Sequence, residues 1–262
     1  MNLTLLFIWH YYLIVLVNLI LIILFIFNYM YNNYVQIQKN IRKRRDYYSF
    51  NFKLSFNAGM LALAIIFAYL SSLVKIPFFS SLSLTIDISI VFLIPVIYIS
   101  SIYSAVALAI SLSLIHFIWN STNWIGIIFL TIINIFTILI FAFLNWLLNK
   151  TKLKDKKVKW LVIWILIIPI LMFLFSAING ILITPLYWWW FRAVRTINFI
   201  EVAKFYNSTT NLRFFLLFIN DYWTGIFSLY SLFNLIKFSL VAFFAIPLLT
   251  FFQNNLFTKK MF

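Results

Sequence analysis

The feature that most constrains this chain is a succession of apolar runs, almost free of charge, at roughly 4–30, 54–74, 87–101, 103–118, 124–148, 160–183 and 226–252. A helix needs about 20 mostly apolar residues to cross the hydrocarbon of a bilayer. Backbone in hydrocarbon must satisfy its own polar groups, so such runs fold as membrane-spanning helices. Only 10% of the residues are charged, against about 25% in a soluble domain, which excludes that class. The expected fold is an all-α integral membrane protein, a six-helix core preceded by one extra N-terminal transmembrane helix. Runs 87–101 and 103–118 are short and nearly contiguous, which predicts a tight helical hairpin or a tilted pair.

The net charge of +15 is concentrated in Lys39–Lys53, Lys150–Lys159 and Lys259–Lys260, each flanking an apolar run. That is the bias of cytoplasmic loops and needs no nucleic-acid partner. Four runs lie between 31–53 and 149–159, an even number, so both segments fit on the cytoplasmic side. The N-terminus and the loop 184–225 are then expected outside and the C-terminus inside, in a multi-pass protein of the cell (plasma) membrane. The first run lacks a small-residue cleavage site and exceeds the apolar region of a signal peptide, so it reads as a retained helix. Residues 1–52 accordingly divide off as the extra helix and its basic linker, and 53–262 as the core.

Several chemistries are excluded. The chain has no cysteine and only two histidines, His10 and His116, so thiolate and multi-histidine metal sites are both out. Gly59, Gly126, Gly180 and Gly225 are too scattered for a phosphate-binding loop. No G-x-S-x-G nucleophile or acid–histidine cluster marks an intramembrane enzyme. The expectation is a protein without catalytic function, cofactor or metal.

Ionisable and amide groups inside apolar spans are costly and become candidates for a site. Tyr230, Asn234 and Lys237 fall at i, i+4 and i+7, one polar stripe on an apolar helix. Asp87 opens a span, where either helix capping or ligand contact fits it. Asn134 and Asn179 need partners in the membrane, from another helix or from a ligand. His116 ends a stripe of Ala105, Ala109 and Ser113 and reads as packing. Trp188, Trp189 and Trp190 cannot all face one way: either they form an aromatic belt, or at least one roofs a flat ring in a pocket. Ala64 and Ala68 make a small-xxx-small stripe that suits either inner packing or a partner subunit.

Four stretches in order resemble the substrate-binding S components of energy-coupling factor (ECF) vitamin transporters, particularly the riboflavin-specific branch. They are "LTIDISIVFLIPVIY", "TIINIFTIL", "AINGILITPLY" and "LFNLIKFSLV", spread over 54–252. The resemblance implies a six-helix core that binds a vitamin, and partnership with a transmembrane coupling subunit and two ATPase subunits in the lipid bilayer. Together with the polar pattern it gives a candidate substrate-binding set of Thr85, Asp87, Asn134, Asn179, Trp188, Tyr230, Asn234 and Lys237. It further implies a lid at 75–86 that includes Lys75, Phe78 and Phe79, and contact of Ala64 and Ala68 with the coupling subunit. The sequence departs from the family at Ile90, Ser113 and Phe238 and in the length of 184–225. These departures bear on which vitamin is bound; folate is the alternative, its carboxylates suiting Arg192, Arg195 or Arg213.

Overall fold

The computed structural model describes residues 49–73, 75–77, 83–120, 123–149 and 156–252. The expected first helix, nearly all of its linker, and Phe78 and Phe79 lie outside the described residues. Among those described, five helices are long and apolar enough to cross a membrane, so this is a helical, membrane-embedded protein.

Helix α1 (Phe50–Leu73) is started by Ser49, whose Oγ accepts the Phe52 N–H at 3.3 Å. Its inward stripe is Met60, Ala64 and Ala68. A short antiparallel hairpin follows, β1 (Lys75–Pro77) and β2 (Ser83–Thr85), with Lys75 opposite Thr85. This hairpin is a small exception to the expected all-α architecture.

The run 87–101 does not form one spanning helix. Pro95 divides it into α2 (Ile90–Leu93) and α3 (Val96–Ile99), because a proline has no N–H to continue the ladder and clashes with the preceding turn. Ile90, Leu93, Ile94, Val96 and Ile99 are almost completely enclosed, so the broken pair is an internal element. Its ten residues rise about 15 Å, half of a hydrocarbon core of about 30 Å. The turn to α4 (Ile102–Asn120) is pinned to α1 by Ser100, whose hydroxyl donates to Asn57 Oδ1 at 2.7 Å. Both α2 and α3 pack against α4, together a half-length partner where a full span was expected. Among the described residues three helices long enough to cross a membrane therefore lie between the two basic segments, and not the expected four.

Helix α5 (Trp124–Asn149) is followed by α6 (Lys156–Ile178), a π-helical turn (Asn179–Ile183) and α7 (Thr184–Trp190). The last three run on as a single apolar helix, Val158–Trp190, of 33 residues, longer than the expected 160–183. The π turn accounts for the Asn-Gly and the proline. The Thr184 N–H donates to the Asn179 carbonyl, five residues back. In that register the Gly180 carbonyl would receive the N–H of residue 185, but Pro185 has none. Tyr222 supplies the missing donor, its hydroxyl meeting the Gly180 oxygen at 2.6 Å. A side chain at Gly180 would lie 2.8 Å from Trp223 Cζ3 and 2.9 Å from Ile226 Cγ2, so only glycine allows this approach.

The chain continues through α8 (Phe199–Ser208), capped by Asn198, and a 3-10 turn (Arg213–Leu216) into α9 (Tyr222–Phe252). Two cores result. The main one joins α1 to α6 and the lower part of α9 around Phe141, Trp160, Trp164, Phe175 and Phe238. A smaller one, built on Trp188, Tyr206, Phe215, Leu216 and Tyr222, makes the segment between the last two spans a folded cap.

Candidate functional site

Asp87 is 5% exposed and sits in the extended stretch between β2 and α2. Its Oδ1 accepts the Ser89 N–H at 2.8 Å, a local turn that precedes α2 and not the expected helix cap: the N-cap position is Ser89, and no side chain caps the helix there. The other, Oδ2, lies 3.8 Å from His116 Nε2 and has no hydrogen-bond partner among the described residues. His116 is held by α4: its Nδ1 is 2.9 Å from the Leu112 carbonyl. A carbonyl can only accept, so Nδ1 carries the proton and Nε2 faces the carboxylate. The sequence pattern assigned His116 to packing for want of a nearby acid; Asp87 is that acid, supplied by the fold.

Lys237 is 2% exposed on α9, with its ammonium 5.8 Å from the Phe238 ring centroid and within electrostatic reach of Asp87. The carboxylate thus lies 3.8 Å from one basic side chain, on α4, and within electrostatic reach of another, on α9. Asn234, one turn above Lys237, and Asn134, on α5, are both buried. The amide nitrogen of each has no partner among the described residues. An unpaired buried amide donor typically costs about 1–3 kcal/mol, so these groups suit a molecule that brings acceptors to them.

The remaining candidates are placed differently. Tyr230 pairs with Thr184 at 3.0 Å, tying α9 to α7 rather than extending the stripe inward. Asn179 donates to the carbonyl of Phe175 at 2.8 Å, bonding to its own helix and not to a neighbouring one. Thr85 ends β2 partly buried, two residues before Asp87, and Lys75 stands across the hairpin from it. Trp188 is enclosed, and its ring stacks on Tyr206 at 5.8 Å and meets Phe215 and Tyr222. It faces the core of the cap. Trp189 and Trp190 are exposed, and Trp190 meets Trp124 edge-on at 5.6 Å, so the triplet splits one inward and two outward.

Ala64 and Ala68 require a correction. Both are enclosed, at 0% and 1% exposure, on a helix packed against α2, α3 and α4. Small side chains let these helices approach closely. The stripe is spent on inner packing, which leaves neither alanine any surface for a coupling subunit.

No protein-family model matches the chain, and no solved structure matches it. Two curated relatives do. The "Uncharacterized protein MG350.1 homolog" of Mycoplasma pneumoniae is 48% identical over 203 residues, covering 78% of this chain and 88% of that protein. The "Uncharacterized protein MG350.1" of Mycoplasma genitalium is 40% identical over 212 residues, with the same two coverages of 78% and 88%.

Proposed function

The chain belongs to the family of these Mycoplasma MG350.1 proteins, and for it we propose the role of membrane-embedded substrate-binding subunit of an ECF-type vitamin uptake transporter, with riboflavin as the vitamin. The observation that carries the reading is the set of buried polar groups within an apolar bundle. Asn134 and Asn234 hold amide donors without partners among the described residues, and Lys237 adds a further buried donor within electrostatic reach of Asp87. A flat heteroaromatic ligand with carbonyls on one edge would satisfy the donors and bury its ring among apolar and aromatic side chains. The reading is capture without chemistry, with nucleotide hydrolysed by two ATPase subunits acting through a transmembrane coupling subunit. Folate is a second reading, favoured by Arg192 and Arg195, which stand exposed on the cap and suit carboxylates.

Titration of the purified protein with riboflavin, followed by quenching of flavin fluorescence, tests the proposal. Saturable quenching is expected, weakened at least about tenfold by Lys237→Ala or Asn234→Ala, since losing a hydrogen bond to a charged or buried donor costs about 1.5–3 kcal/mol. Binding of folate in place of riboflavin would keep the transporter class and change the vitamin. Indifference to both, with the alanine variants losing only thermal stability, would make the buried polar groups packing devices and sink the reading.

A further inference from the structure

The turn between the 3-10 segment and α9 holds two bulky residues in a left-handed backbone, Leu217 at φ 59° and Phe218 at φ 61°. That region is strained for any residue with a side chain and rare for an aromatic one. The strain has a geometric result. The Phe218 N–H returns to the Arg213 carbonyl at 2.8 Å and the Ile219 N–H to Leu216 at 3.1 Å. The closed turn sends Phe215 and Leu216 into the core of the cap. Phe214, Leu217 and Phe218 are left outside at 52%, 50% and 69% exposure, with the two phenyl rings edge to face at 5.5 Å.

Where they are presented is fixed by their inward neighbours. Leu216 lies against Gly225, where a Cβ would come within 2.7 Å of it, about one turn inside the start of α9. The Phe215 ring is 5.5 Å from that of Trp188, two residues before the Val158–Trp190 span ends. The turn that carries the exposed apolar trio is therefore tied to the ends of both apolar spans, through Leu216 to α9 and through Phe215 to Trp188, two residues before Trp190. Tryptophan collects at the headgroup level of a bilayer, and the exposed Arg192 and Arg195 follow directly in the chain.

We propose that Phe214, Leu217 and Phe218 form a wedge that enters the headgroup–acyl boundary of the leaflet at which the Val158–Trp190 span ends, with Arg192 and Arg195 on the phosphates of anionic lipid. Apolar insertion next to basic side chains is the general chemistry of interfacial membrane binding. The wedge would seat the cap on the membrane and fix its height over the bundle, whatever the bundle binds.

The absence of cysteine from the chain allows a direct test. Phe218→Cys carries an environment-sensitive fluorophore in nanodiscs of phosphatidylglycerol and phosphatidylcholine; Phe214→Cys replaces it if the first variant does not fold. Ser208→Cys is the reference, an exposed polar position at the C-terminal end of α8, outside the apolar trio. Emission from position 218 should shift to the blue, be quenched by a nitroxide on the upper acyl chain and resist iodide, while position 208 does the reverse. Arg192→Gln with Arg195→Gln should reduce the nitroxide quenching in the anionic discs. A label at 218 open to iodide and blind to the nitroxide lipid would overturn the wedge. Equal quenching in anionic and purely zwitterionic discs would overturn the role of the arginines.

Discussion

Pro185 and Tyr222 answer for a single backbone carbonyl. The proline denies the Gly180 oxygen a donor in the π register, and the tyrosine hydroxyl restores one at 2.6 Å. Tyr222→Phe leaves that carbonyl buried without a donor and is expected to cost about 1–3 kcal/mol, read as a lowered melting temperature in detergent. Pro185→Ala returns a backbone N–H to the turn, so the same tyrosine substitution should cost less in that background. A double-mutant cycle measures the difference, and equal costs in both backgrounds would disprove the register argument. The sequence advertised half of this device. Asn-Gly followed by a proline and three tryptophans marked the helix end as unusual, yet its partner lies 42 residues away. Asp87 and His116 teach the same lesson: each looked like a local feature, a cap and a packing residue, and only the fold made them neighbours.

At the scale of the element, α9 runs for 31 residues and begins on a built cap. Asp221 accepts the Thr224 N–H at 2.8 Å and its hydroxyl at 2.9 Å, with Asn207 at 3.4 Å. The backbone N–H of Thr224, foremost among these bonds, holds the Asp221 carboxyl below its ordinary value, against a smaller opposing effect of burial. Because the folded value is the lower one, the stabilisation is complete above the ordinary carboxylate value of about 4 and disappears as pH falls through the lowered value. Asp221→Ala should therefore cost about 1 kcal/mol at neutral pH, as other lost caps do, and nothing in strong acid. Unfolding curves of the two proteins that converge on acidification would bear this out; a constant gap would refute it. The five spanning helices among the described residues were legible because a long charge-free run has few alternatives to a membrane helix. The run at 87–101 looked like a sixth. Its apolarity was real, but Pro95 cuts its hydrogen-bond ladder and its neighbours enclose it, two facts that hydropathy does not weigh.

For the whole molecule, packing of α1 on the broken pair and α4 is the joint on which the described bundle closes. Ala68→Leu inserts three carbons where there is no room, and overpacking of this kind typically costs about 1–3 kcal/mol. The expected result is reduced stability of the chain on its own, with no partner present. An unchanged melting temperature would show that the stripe is free after all. That it is small was plain from the sequence; which surface it faces was not, since close approach of helices serves a neighbour in the same chain as well as one outside.

The half-length pair α2–α3 also has a consequence for how the protein is made. A segment rising about 15 Å is too short to bridge a bilayer core of about 30 Å, so it offers the insertion machinery no independent stop. Its buried residues become comfortable only once α1 and α4 stand on either side. The region is therefore expected to settle only once α4, which ends at Asn120, has been made. It is the length of this one element, Ile90–Ile99, that sets the expectation.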